Sequence, residues 1–136
     1  MTRYVLTIPG KPFAKQRPRF SRASGRAYTP AETVSFERTV GQIAAQHIKQ
    51  PITGPVRLSV VATFTPPPSW SKKKREAALT APHAAHTQKP DGDNIVKAIL
   101  DGLNRIAFAD DAQVFEQSCR KAWGATEGTT IFVEAI

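Results

Sequence analysis

The first 31 positions of this chain contain no acidic residue, cysteine occurs once, and no apolar run approaches the length of a membrane span. Each absence excludes something. The lone Cys119 has no partner for an internal disulfide and cannot build a cysteine zinc site, so a cytoplasmic setting is the expectation. Without about 18 consecutive apolar residues no transmembrane helix is expected. The N-terminus alternates in character to Ile8 and then meets Pro9-Gly10, which is not the pattern of a signal peptide.

What is present is a chain of 136 residues with 40% hydrophobic residues, enough for one domain, residues 1–136, around one modest core. Lys and Arg total 19 against 11 acids, a net charge of +8, with an isoelectric point near 10.1. A small, strongly basic domain points to a polyanionic partner. Arg3, Lys11, Lys15, Arg17, Arg19, Arg22 and Arg26 stand unopposed before Glu32. Pro12 and Pro18 keep their segment extended and out of a helix. Lys15, Arg17 and Arg19 alternate there and so point one way, which suits a phosphate backbone. A second run, Lys72-Lys73-Lys74-Arg75, follows Trp70. For both runs a merely solvated face is the alternative.

The hydrophobic pattern predicts a short strand at Tyr4–Ile8 and a turn at Ser24-Gly25. A helix is expected from Thr29-Pro30-Ala31-Glu32 to about Lys49, with Thr29 as cap and Glu32 completing a capping box. Its apolar stripe is Phe36, Val40, Ile43, Ala44 and Ile48. Val56–Phe64 is β-branched and alternating, a strand, stopped by the three prolines 66–68. A short helix over Ser71–Leu79 and a loop over Thr80–Pro90 follow. Ile95, Val96, Ile99, Leu100, Leu103, Ile106 and Ala107 recur at helical spacing, predicting an amphipathic helix over Asp93–Ala107. Val114–Trp123 and Thr129–Val133 complete the set as strands. The elements describe a single small α/β (α+β) domain, a mixed β-sheet flanked by two main helices.

The most informative stretch is Lys89-Pro90-Asp91-Gly92-Asp93-Asn94-Ile95-Val96-Lys97. Gly92 lets the backbone turn at the mouth of the helix. Asp91 lies in the loop, Asp93 at or near the N-cap, and Lys97 one turn on, on the face of Asp93. Asp110-Asp111 follows the helix, and a return strand is needed to bring that pair back. Carboxylates so gathered suit Mg²⁺, a hard ion that prefers oxygen ligands and keeps several waters. Such an ion neutralises a scissile phosphate and lowers the pKa of a bound water, and an ammonium such as Lys97 offsets charge building on the phosphorus centre. A bland reading stays open beside this one. Asp93 is also an ordinary N-cap, Asp93–Lys97 and Lys97–Asp101 are ordinary i,i+4 pairs, and Asp110-Asp111 fits a turn.

Other residues are assigned lesser roles. His83 and His86 read as mobile loop histidines, since no second ligand pairs with them by spacing, with an approach to the site or to phosphate as the alternative. Trp70 and Trp123 have faces on which bases stack, with packing the alternative. Cys119 reads as a buried strand thiol. Asp101 and Asn104, on the helix, read as structural or as supporting the site's ligands from behind.

Lys89-Pro90-Asp91-x-Asp93-Asn94-x-x-Lys97, then Asp101-x-Leu103-Asn104, then Asp110-Asp111-x-Gln113-Val114, resembles the RusA family of Holliday junction resolvases. Gly10-Lys11-Pro12-x-x-Lys15-x-Arg17-Pro18-Arg19, with Gly25-Arg26-x-Tyr28, is similar to the same family. The resemblance implies a homodimeric α/β endonuclease that nicks branched DNA, the four-way junction above all, in recombination and repair. It implies Mg²⁺, with Mn²⁺ as a substitute, and no small-molecule cofactor. By position the essential residues would be Asp91, Asp93, Asp111 and Lys97, with Asp110 as the alternative third acid. Asp111 is preferred because it directly precedes Ala112-Gln113-Val114. The DNA-contacting set is Lys15, Arg17, Arg19, Arg22, Arg26, Lys72, Lys73 and Lys74. Two rival functions remain: a branched-DNA-binding module without catalysis, and a metal-dependent phosphoesterase acting on other nucleic acids. A prophage setting fits such a gene.

Overall fold

The structure, a computed structural model, describes residues 2–136. The strand β4, Val56–Phe64, buries every second residue, Val56, Leu58, Val60, Ala62 and Phe64. Side chains alternate across a strand, so these five share one face. The same period places Leu6 and Ile8 of β1 (Thr2–Pro9) and Thr129, Ile131 and Val133 of β6 (Gly128–Ala135) on that face. With β5 (Val114–Trp123) they form a four-stranded sheet in the order β1-β6-β4-β5. The first three pair antiparallel and β4 with β5 parallel, so the sheet is mixed as expected.

A parallel pair needs a crossover, and this one carries α2 (Lys72–Thr80) and α3 (Gly92–Leu103). Helix α3 buries Ile95, Val96, Ala98, Ile99, Gly102 and Leu103. Against it lies α1, Ala31–His47, with Val40, Gly41 and Ala44 buried. The two helices meet closely at glycines. A Cβ on Gly102 would stand 2.7 Å from the Cβ of Val40, and one on Gly41 would stand 2.8 Å from Cδ1 of Ile106. Both helices cover the buried face of the sheet, completing the core with Ile48, Ile52 and Phe108.

The opposite face carries Arg3, Val5, Arg57, Val61, Phe132 and Glu134, none of them buried. Arg57 bridges Glu116 at 2.5 Å and Glu134 at 3.5 Å, and Arg3 lies over the ring of Phe132. Arg19–Phe20 (β2) and Ala27–Tyr28 (β3) pair only with each other, as a separate hairpin around Ser24-Gly25. No helix among the described residues is long and apolar enough to cross a membrane.

Three local expectations are corrected. Pro30, not Thr29, occupies the N-cap of α1, and no side chain caps that end. Its first turn starts directly after the proline, so the box with Glu32 does not form. Helix α3 starts at Gly92 with Asp91 as N-cap, and it ends at Leu103 rather than Ala107. Arg105 turns to a φ of +69° and its N–H donates to the carbonyl of Phe108. This reversal buries Ala107 and Phe108 from outside the helix. His86 is not an exposed loop side chain. It is 5% exposed, stacked on Phe64 at 3.9 Å between centroids and tilted against Trp123 at 4.4 Å.

Candidate active site

Helix α3 places the acidic motif. Asp91 sits at its N-cap position but its carboxylate makes no cap bond, although an N-cap aspartate usually accepts from the first turn. Asp93 lies in the first turn and Lys97 four residues on, one helical turn along the same face. All three are exposed. Among the described residues none of them makes an ion pair. Negative groups at a helix N-terminus face its positive end, so two carboxylates are held there without a cation bound to either.

Gly92 between them has no positive φ, and a Cβ there would meet Cys119 at an ordinary 3.5 Å. The expected backbone role for this glycine is therefore not required by its conformation. What lies under the motif is β5. Burial pushes the half-exposed Cys119 thiol up, with Lys121 and Asp93 as opposing charges nearby.

The basic arm runs beside the same helix. The N–H of Lys15 donates to the carbonyl of Asn94 at 2.9 Å, and the Lys15 ammonium is bound by Asp101. That bond raises the Lys15 pKa, against the opposing effect of burial. The sequence suggested Lys97 as the partner of Asp101; the structure gives Lys15, and Lys97 is left unpaired among the described residues. Lys15, Gln16, Arg17, Pro18, Asn94 and Lys97 together line an open cavity of about 300 Å³. Arg17, Arg19, Arg22 and Arg26 are exposed on the arm and hairpin, with Phe20 67% and Tyr28 48% exposed. Sequence reading gave Phe20 no role and quoted Tyr28 only within the arm's motif, and their place among unopposed arginines was the available signal. Lys72, Lys73 and Lys74 are exposed on the first turn of α2, where Ser71 caps the N–H of Lys74 and Lys74 lies over Trp70.

Asp110 and Asp111 have different fates. Asp110 caps a one-turn 3-10 helix, Asp111–Gln113, accepting from the N–H of Ala112 at 3.0 Å. The side chain of Gln113 accepts in return from the N–H groups of Ala109 and Asp110 and donates to the carbonyls of Ile52 and Gly54. The Ala112 N–H, first of all, holds the Asp110 carboxyl low. Asp111 is exposed, and its neighbour Asp110, with Asp101 further off, raises its pKa. Among the described residues no group of three or more acids, histidines or cysteines is spaced to hold a metal ion. Strand β5 begins just after Asp111 and comes under Gly92 only at Cys119. The return strand thus lies under the motif at Cys119, eight residues past Asp111.

Comparison with known proteins now adds to this geometry. The chain matches the model of the family described as Endodeoxyribonuclease RusA over residues 9–134. The chain belongs to the RusA endodeoxyribonuclease family. A relative from Bacillus subtilis (strain 168), the uncharacterized protein YqaN, is 35% identical over 140 residues, covering 96% of this chain and 95% of its own length. RusA membership makes the chain one of a family of DNA endonucleases, and the match spans both the basic arm and the acidic motif.

Proposed function

We propose that this chain resolves Holliday junctions or related branched DNA by paired symmetric nicks, as a Mg²⁺-dependent homodimer, with Mn²⁺ able to substitute. The observation that carries the reading is the unpaired pair Asp91 and Asp93 at the start of α3, beside a free Lys97 and a basic arm, in a chain of an endodeoxyribonuclease family.

The donors fit the ion. Mg²⁺ keeps several waters and is commonly held by one or two carboxylates plus substrate phosphate, and Asp91 and Asp93 are two exposed carboxylates with no competing cation. When bound, the metal would neutralise the scissile phosphate and acidify a water. Lys97 places an ammonium one turn from Asp93, where it offsets negative charge developing at the phosphorus. Asp111 is the third acid of the proposal and is preferred to Asp110, whose carboxylate already serves as a cap. Arg17, Arg19, Arg22 and Arg26 would draw in and orient the DNA backbone, with Lys15 anchoring their arm to α3, and Lys72, Lys73 and Lys74 would extend the contact. The uncovered sheet face supports self-association, and a two-fold protein matches the two-fold symmetry of a four-way junction.

The lack of a three-acid metal group among the described residues favours one rival, a branched-DNA-binding module without catalysis. The test is incubation with a synthetic four-way junction, duplex, single-stranded DNA and RNA, with Mg²⁺ or with chelator. Metal-dependent cutting confined to the junction is expected. An uncut junction that is still bound, beside an active control enzyme, would establish the rival; cutting of RNA in preference would point to a different phosphoesterase.

A further inference from the structure

The segment before Asp91 has no regular structure of its own from His86 to Pro90, yet one residue of β5 holds it at both ends. The N–H of His86 donates to the carbonyl of Lys121 at 3.1 Å, and Ala85 bridges Ala122. The ammonium of Lys121 then reaches forward, donating to the carbonyl of Gln88 at 2.7 Å and to that of Pro90 at 2.9 Å. We propose that Lys121 is a positioning residue for the carboxylate of Asp91, acting through the Pro90 carbonyl. This inference rests on the reading of Asp91 as a metal-holding carboxylate.

The Pro90 carbonyl and the Asp91 nitrogen belong to one planar peptide unit. Fixing that carbonyl fixes the plane from which the Asp91 side chain departs, at the point where the chain enters α3. The task needs a side chain with several donors and no acceptor, and an ammonium has three N–H groups to share between two carbonyls. Bonds from a charged donor are stronger than neutral ones. The ammonium also adds local positive charge near the acids: the Cys119 thiol feels both Lys121 and Asp93. In the sequence Lys121 is one more cation of a basic chain. Only the register of β5 under the loop distinguishes it from the DNA-facing lysines.

The experiment compares wild type with Lys121→Met and Lys121→Arg. Mn²⁺ binding is read by electron paramagnetic resonance without DNA, and amide hydrogen exchange is read at residues 86–93. Loss of an outer partner of a metal ligand typically weakens metal affinity or activity by about 10- to 100-fold. Lys121→Met is expected to weaken Mn²⁺ binding by that order and to speed exchange in the 86–93 segment alone. Lys121→Arg, which keeps charge and donors, is expected to recover part of both. In cleavage, the metal concentration for half-maximal rate should rise while junction affinity in chelator stays as in wild type. Unchanged metal affinity and unchanged exchange in Lys121→Met would overturn the proposal, as would a junction-binding defect with metal affinity intact. If Lys121→Met does not fold, Lys121→Gln, neutral but still a donor, is read by the same two measurements against the same expectations. If wild type itself binds no Mn²⁺, the metal reading of Asp91 fails, and the exchange data alone decide whether Lys121 holds the loop.

Discussion

At the N-terminal end of α3, Asp91 and Asp93 stand exposed and make no ion pair among the described residues; at its C-terminal end, Asp101 holds Lys15, and beyond it Asp110 caps the turn that leads into β5. Both ends are rich in acid and both were candidates for the same chemistry. The difference is what each carboxylate already does for the fold. A carboxylate engaged in a cap or an ion pair is explained by structure. Two carboxylates at one helix mouth that make no cap bond or ion pair among the described residues have only the helix dipole to account for them, which leaves them open to the metal role proposed above. The cations sort the same way: Lys15 and Lys121 are bonded, Lys97 is free.

The sharpest way to break this contrast is to neutralise each acid in turn. Asp91→Asn and Asp93→Asn should lower junction cleavage by about 10²- to 10³-fold, the loss usual on removing one charge-stabilising group from a preorganised site. Junction binding in chelator should be kept or tightened, since negative charge near phosphate is removed. Lys97→Met should fall on the same side of the divide. Loss of binding together with cleavage would mean that these residues serve the fold instead.

Next in size is Asp110→Ala, which should lower stability modestly as a lost cap. The effect would be read as a lower denaturant midpoint while the cleavage rate of the folded protein holds. Asp111→Asn separates the two members of that pair. A cleavage defect without a stability defect would bring Asp111 into the active site of the DNA complex. Lys15→Met should cost less than about 1 kcal/mol, because the pair with Asp101 is partly exposed.

The smallest effect belongs to His86, far from the contrast in role but close to it in space. Burial first, with Lys121 next, lowers its pKa below 6.5. The unfolded chain therefore takes up its proton first as pH falls below about 6.5. That makes wild type lose stability below this pH, down to the lowered folded pKa. His86→Phe, which can keep the stack on Phe64, should flatten that part of the Tm-against-pH curve between pH 7.5 and 5.5.

How far the sequence revealed this follows from which forces were local. β4, α2 and β5 lie where alternation and prolines placed them, since strand period and breakers are read within a few residues. The acidic motif was equally legible, because Asp91, Asp93 and Lys97 are fixed by one helix start. The C-terminus of α3 was not. Ile106 and Ala107 continue the helical spacing, but their burial comes from a reversal at Arg105 that tertiary packing selects. The Gly41–Gly102 approach of the helices, the stacking of His86 and the clamp from Lys121 are all contacts between segments distant in sequence, with no local signature. The same limit held for the return strand, whose Cys119 lies under Gly92 through a crossover with no local signature.

The most direct measurement is Mn²⁺ titration, read by electron paramagnetic resonance in the absence of DNA, of wild type, Asp93→Asn and Asp101→Asn side by side. Wild type and Asp101→Asn should bind the ion with similar affinity, and Asp93→Asn should lose it. Equal binding by all three, or loss in Asp101→Asn alone, would contradict the account.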